Sequence, residues 1–233
     1  MVGAGGALGA AVLEQALGAG LFAQVVVLAD EPIAPALRGF VAVDRAALEG
    51  GGVRADTAFV VFDRARGRHG REDAFHRPDP IVLPALARLL HGRCGVARLL
   101  LVLPHAPALL PQALKAGLAS LDEQAVAATG FEQLVILRPS QQAADGSTRS
   151  LPQRVAQGML AQLRWMIPQR DQPMRPGKVA ALALEIARAL PHARGGTRVA
   201  PPELVWQAAQ PQQDVAALVQ AWLKGGTADN PAR

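Results

Sequence analysis

The chain has 233 residues, 50% of them hydrophobic, which is enough to bury one sizeable core. Its net charge is +5, but the arginines are scattered among acids, so we do not expect a nucleic-acid-binding surface. A single cysteine excludes a disulfide framework, no Cys/His spacing fits a metal site, and no apolar run is long enough to span a membrane. Because the opening residues also lack the basic region of a signal peptide, we expect a cytoplasmic protein.

The chain opens on a glycine-rich stretch in which Gly3, Gly6 and Gly9 form a Gly-x-x-Gly-x-x-Gly pattern, followed by apolar residues at helical spacing. This pattern is typical of the turn between a strand and a helix in dinucleotide-binding folds. One glycine permits the tight turn, one lets the backbone approach the phosphates, and one lets the helix pack on the sheet. The amides of the helix N-terminus would then face a pyrophosphate.

Residues 25–29 are a short apolar run typical of a strand that is buried on both faces. Asp30 follows this run, about twenty residues past the glycines, where the fold places an acid on the adenosine ribose. A carboxylate there would repel the 2′-phosphate of NADP, so the sequence favours NAD as the cofactor over NADP. Arg38 or a basic loop further on could reverse that preference.

The strand that should feed the glycine turn is short. Such a strand needs about five residues, yet only Met1 and Val2 precede Gly3. We therefore expect a clipped central strand, from a late assigned start or a truncation, and a sheet that is open at that point.

The rest of the chain alternates strands and helices. Strands are predicted at 40–44, 56–62, 96–103 and 134–137. A short helix is predicted to end at Glu49, and longer helices are predicted at 79–91 and 112–129. Counting the clipped strand, this rhythm predicts an α/β fold with a doubly wound parallel sheet of the Rossmann type. The last third is predicted as helices at 151–167, 179–190 and 213–223 with an extended piece at 197–199. We expect one domain at 1–225, with a nucleotide-binding core at 1–140, a small, mostly helical C-terminal appendage at 141–225, and a flexible tail at 226–233.

Four segments carry a resemblance to a known family. They are the glycine start, the strand at 56–62 with the basic loop after it, the Val-Ala-Arg-Leu-Leu-Leu-Val strand, and Gly-Phe-Glu-Gln-Leu-Val-Ile-Leu-Arg-Pro at 130–139. In this order they resemble the atypical short-chain dehydrogenase/reductases, in particular the Tat-interacting-protein-like and NmrA-like branch, over residues 1–190. The resemblance implies NAD(P) binding. By this resemblance the pyrophosphate would be bound by Gly3, Gly6, Ala7, Leu8 and Gly9. The ribose would be bound by Asp30, the adenine edge by Asp44, and Phe62 would lie on the nicotinamide side of the cleft.

The family's catalytic groups are missing from this chain. Its reductases use a Tyr-x-x-x-Lys pair and a serine, in which the tyrosine protonates the carbonyl oxygen and the lysine lowers the tyrosine pKa. The chain contains no tyrosine. Alignment on Glu123 puts Gly117 at the tyrosine position and Leu121 at the lysine position, and the serine falls at Leu103 or Pro104. Carbonyl reduction by this mechanism is excluded, and we expect no catalytic residue of the usual kind.

Each of the other candidate functional groups could also have an ordinary structural role. His105 lies just past the fifth predicted strand, where an imidazole could move a proton, but its place between Pro104 and Pro107 favours an ordinary loop histidine. Asp122 and Glu123 could form an acidic pair, but adjacent helical residues point in different directions, so we expect them on a solvated helix face instead. The basic loop at 64–71 could hold a cofactor phosphate or simply be exposed. Cys94 is expected to be an incidental thiol.

Two functions from different classes remain open. One is an NAD(P)-dependent oxidoreductase with unusual chemistry, which the resemblance favours. The other is a non-catalytic cofactor sensor or protein-binding module, in which nucleotide occupancy changes a surface that a partner recognises; the missing catalytic groups favour it. The expected partners are a dinucleotide and an unidentified small molecule or protein, and a homodimer is left open.

Overall fold

The computed structural model describes residues 1–33, 37–63, 71–104, 120–140 and 174–225. Several sequence predictions lie outside these ranges. They are His105, the basic loop up to residue 70, the first part of the helix predicted at 112–129, the helix predicted at 151–167, and the predicted tail.

The described residues form six strands and seven α-helices. The strands are β1 (Val25–Leu28), β2 (Phe40–Val43), β3 (Thr57–Val61), β4 (Arg98–Val102), β5 (Gln133–Leu137) and β6 (Gly196–Val199). The helices are α1 (Gly6–Gly18), α2 (Arg45–Glu49), α3 (Leu83–Gly92), α4 (Leu121–Ala127), α5 (Pro176–Ala189), α6 (Pro202–Ala208) and α7 (Val215–Gly225). None of these helices combines the length and the apolar character that a membrane span needs.

All pairings between the named strands are parallel. β1 pairs with β2, and β3, β4, β5 and β6 follow one another in a second, four-stranded ladder. Parallel strands need helical crossovers, and the crossovers here place helices on both faces of the sheet. The predicted α/β doubly wound, Rossmann-like fold is therefore confirmed.

Met1 and Val2 join the two ladders. The amide of Leu28 donates to the carbonyl oxygen of Met1 at 3.0 Å, and the amide of Val2 donates to that of Phe59 at 2.8 Å. The amide of Val61 donates a hydrogen bond to the carbonyl oxygen of Val2 at 2.9 Å. These two residues thus occupy the place of the central strand, between β1 and β3.

An open slot continues the line of this strand beyond Met1, and we call it the strand slot. It is a cavity of about 370 Å³ between β1 and β3. Across it, no backbone hydrogen bond joins residues 24–26 to residues 55–59. Alternation along parallel strands turns the amides of Val26 and Phe59 toward it. Its lining is mostly apolar and includes Leu21, Phe22, Val53, Leu90, Cys94 and Val96.

Side chains of the sheet alternate between two apolar layers. On one face, Val61, Leu100 and Leu137 pack with buried residues of α1, α5, α6 and α7. On the other face, Val60 and Leu101 pack with buried residues of α2, α3 and α4. The alternation explains why these strands are continuously apolar, since both of their faces are covered.

The C-terminal part of the chain contributes to these same layers. The extended piece predicted at 197–199 is the end of β6, which pairs with β5 and forms one edge of the sheet. α5 packs along α1, and α7 packs on α5. The division between a core at 1–140 and an appendage at 141–225 remains a prediction.

Candidate functional site

The predicted glycine turn lies at the carboxyl edge of the sheet, between the short central strand and α1. Gly3 and Gly6 adopt φ angles of 81° and 77°, in the left-handed region that favours glycine. A Cβ on Gly3 would lie 1.9 Å from the carbonyl oxygen of Val61, and a Cβ on Gly9 would lie 2.2 Å from that of Gly3. These two glycines hold the turn against β3 and the helix against the turn.

Gly6 has a different neighbour, the side chain of Asp63. A Cβ on Gly6 would lie 2.6 Å from Oδ2 of Asp63. The amide of Leu8, in the first turn of α1, donates to the same oxygen at 2.7 Å. Neither the cap residue Gly5 nor the first turn of the helix carries an acid of its own. The Asp63 carboxylate therefore meets the positive end of the α1 dipole.

Asp30 lies just past the end of β1, as the sequence predicts, and it is paired. Its Oδ1 lies 2.6 Å from Nδ1 of His76, and the two side chains are 56% and 20% exposed. Sequence reasoning missed His76, which lies 46 residues further along the chain. No sequence signal pointed to it, because the contact forms only where residues 74–76 pair with the end of β1 in the tertiary fold.

Residues 74–78, which we call the crossing segment, lie over the edge between β1 and the glycine turn. The amide of His76 donates to the oxygen of Leu28 at 3.1 Å, and the amide of Gly3 donates to the oxygen of His76 at 3.2 Å. Phe75 forms an antiparallel bridge with Ala29. The chain thus covers part of the edge at which doubly wound folds bind ligands.

The other predicted cofactor residues lie at or near this edge in different roles. Asp44 caps α2 by accepting from the amide of Ala47 at 2.8 Å. Phe62 packs against the α3 side of the core. Ala7 is half-buried, and Leu8 is 1% exposed, so its side chain belongs to the core and only its backbone can serve the site.

A small cavity of about 90 Å³ lies between β1, α2, α3 and the crossing segment. Leu28, Leu48 and Leu86 provide apolar walls, and Arg45 and His76 provide polar ones. It adjoins the α2 cap of Asp44 and the end of β1. A flat, largely apolar group could enter it only if the cavity widened.

A buried ion pair lies near the end of β5. Arg138 and Glu123 bind through Nη2 and Oε2, with side chains 4% and 7% exposed. The prediction that Glu123 lies on a solvated helix face is wrong, whereas Asp122 beside it is exposed. Ser120 caps α4 through the amide of Glu123, and this places the glutamate on the inner face of the helix.

The positions aligned with the family's catalytic groups carry no acid or base where they are described. Leu121 is 80% exposed, and Leu103 and Pro104 follow β4. In the described part of the chain, no group of three His, Cys, Asp or Glu side chains could hold a metal ion. Burial raises the pKa of the Cys94 thiol, which lines the strand slot away from this edge.

Comparison with known proteins gives distant structural likenesses. No protein-family model matches the chain, and no curated protein matches its sequence. A putative exported protein from Burkholderia pseudomallei is similar in structure, with 15% identity over 86% of this chain and 97% of that chain and a TM-score of 0.46. The Bordetella bronchiseptica enzyme WbmH in complex with NAD+ is similar with 14% identity over 91% and 81% and a TM-score of 0.48. Identities and scores this low do not assign the chain to a family.

Proposed function

We propose that this protein binds a nicotinamide dinucleotide at the glycine turn and does not catalyse carbonyl reduction by the Ser/Tyr/Lys mechanism. It would be an atypical member of the short-chain dehydrogenase/reductases, related to the NmrA-like branch. The observation that carries the proposal is the fit of the three glycines: a Cβ on Gly3 or Gly9 would meet backbone atoms, and Gly6 holds a φ of 77° that favours glycine. This close packing leaves the N-terminus of α1 directed at the edge where a pyrophosphate would lie.

The neighbouring residues support the same placement of the cofactor. Asp30, at the end of β1, would bind the adenosine ribose, and the small cavity beside Asp44 would widen to take the adenine. We propose NAD over NADP, because the Asp30 carboxylate would repel a 2′-phosphate. Phe62, at the end of β3, would lie on the nicotinamide side.

A non-catalytic sensor is the second candidate. A chain without tyrosine cannot supply the family's general acid, and Leu121 stands where the lysine would be. Dinucleotide occupancy would then act on a surface that another protein recognises. His105 is the remaining candidate for a proton donor if the protein is an enzyme.

Calorimetric titration with NADH and with NADPH tests the proposal. We expect saturable binding, with NADH bound more tightly, and Asp30→Asn should weaken NADH more than NADPH. Asp122→Asn makes the same charge change on an exposed residue and should leave both affinities unchanged. Absence of saturable binding for both dinucleotides in the unchanged chain and in Asp63→Asn would refute the proposal. Turnover of aldehydes or quinones that is lost in His105→Ala would favour an enzyme over a sensor.

A further inference from the structure

We propose that the chain occupies its own dinucleotide site, with Asp63 in the place of the pyrophosphate and His76 in the place of the ribose. This inference rests on the proposed function and names what controls it. The two side chains come from the segment between β3 and α3 and reach the two groups on which a dinucleotide would depend.

Asp63 provides the internal anion. A phosphate at a helix N-terminus is held by the amides of the first turn, and here the Leu8 amide already donates to Oδ2 of Asp63 at 2.7 Å. The absence of a Cβ on Gly6 is what lets this carboxylate come so close. A pyrophosphate and a carboxylate carry the same sign of charge and seek the same donors. They therefore cannot occupy the end of α1 together.

His76 provides the second internal contact. Its Nδ1 lies 2.6 Å from Oδ1 of Asp30, so it takes an oxygen that a ribose hydroxyl would otherwise bind. The His76 carbonyl oxygen in the crossing segment also accepts a hydrogen bond from the amide of Gly3. The His76 residue lines the small cavity beside Asp44 as well. Binding of a dinucleotide would have to release both side chains.

Release of these contacts would link the site to the surface of the protein. The crossing segment leads directly into α3 through the turn Pro80–Val82, where Ile81 is 82% exposed. A dinucleotide that displaces Asp63 and His76 would also move this exposed segment. By linkage, anything that holds the segment in its present position weakens dinucleotide binding by the same factor.

Titrations of four variants test this inference. Asp63→Asn removes the charge but keeps an acceptor for Leu8, and we expect it to bind NADH at least tenfold more tightly than the unchanged chain. His76→Ala frees Asp30 and should tighten binding about threefold or more. The matched controls are Asp122→Asn and His192→Ala, both on exposed residues, and they should change the affinity less than twofold. If Asp63→Asn does not fold, Asp63→Ser replaces it.

A ligand fragment separates competition from general loosening of the fold. Adenosine carries the ribose but no phosphate, so His76→Ala should tighten its binding, measured by saturation-transfer NMR, and Asp63→Asn should leave it unchanged. Equal NADH affinity in Asp63→Asn and the unchanged chain would overturn the inference and leave the proposed function standing. If Asp122→Asn matched the gain of Asp63→Asn, a general charge effect would replace the inference. Absence of NADH binding in every variant would overturn both proposals.

Discussion

The carbonyl oxygen of Gly3 lies 2.2 Å from the point where a Cβ on Gly9 would stand. This contact joins the glycine turn to the first turns of α1, which in turn packs along α5. The turn, the helix and the C-terminal layer therefore depend on one close approach of backbone to backbone. Because the atoms that approach Gly9 belong to the backbone and not to the end of a flexible side chain, they cannot move aside to make room for a larger residue without distorting the turn.

Gly9→Ala should destabilise the protein strongly. We expect a loss of about 3 kcal/mol or more, because the added methyl group meets backbone atoms of Gly3 and Ala4. Gly18→Ala is the matched control, since a Cβ there meets nothing within 4 Å and alanine favours the helix. It should stabilise by about 0.5–1 kcal/mol. Urea unfolding measures both, and equal effects of the two substitutions would contradict this account of the turn.

Removing one partner of the buried Arg138–Glu123 pair should destabilise the protein strongly, whereas replacing both partners by apolar residues should destabilise it little. Glu123→Leu leaves a buried guanidinium without this carboxylate and should cost about 3–5 kcal/mol in the free energy of unfolding. Adding Arg138→Met should recover most of that loss. The exposed pair of Arg45 and Glu49 is the control, and Glu49→Gln should cost less than about 1 kcal/mol. Additive losses in the Glu123/Arg138 double variant would show that the two residues are not coupled.

The amine of Met1 should make stability depend on pH. Desolvation lowers its pKa from 8.0 to about 5, although the Val26 oxygen accepts from it at 2.5 Å. Between these values the unfolded chain binds a proton that the folded chain does not, so stability should rise from pH 5 to pH 8. Three units correspond to at most about 4 kcal/mol.

The N-acetylated chain is the control for this pH dependence, because it has no amine to titrate and its histidines are the same. Unfolding in urea at pH 5, 6, 7 and 8 gives the difference between the two chains. A constant difference across this range would contradict the desolvation of the Met1 amine.

Filling the strand slot should stabilise the protein. Four added residues of the type Val-Ile-Ala-Val before Met1 would continue the central strand, give the amides of Val26 and Phe59 partners, and bury apolar side chains. We expect a net gain of about 2 kcal/mol, or roughly 4–8 °C in Tm. A Gly-Ser-Gly-Ser extension is the control and should gain little. If both extensions raised Tm equally, loss of the buried Met1 amine, and not strand formation, would be the cause.

The sequence predicted the fold well because β1 to β5 are mostly apolar runs, bounded by turn residues or by helices with their own stop signals. It also placed Asp30 at the end of β1 correctly. It did not predict the contacts of Asp63, His76 or Arg138, since each joins residues brought together by the tertiary fold. Asp122 and Glu123 were assigned together to one solvated helix face, although helical geometry turns adjacent side chains to different faces, and only Asp122 is exposed.

Backbone NMR of Asp63→Asn titrated with NADH tests the central claim most directly. The account predicts saturable changes in amide shifts at residues 3–9 and at Asp30, with weaker changes at the same positions in the unchanged chain. Shifts confined to other parts of the protein, or none in either chain at millimolar NADH, would contradict a dinucleotide site at the glycine turn.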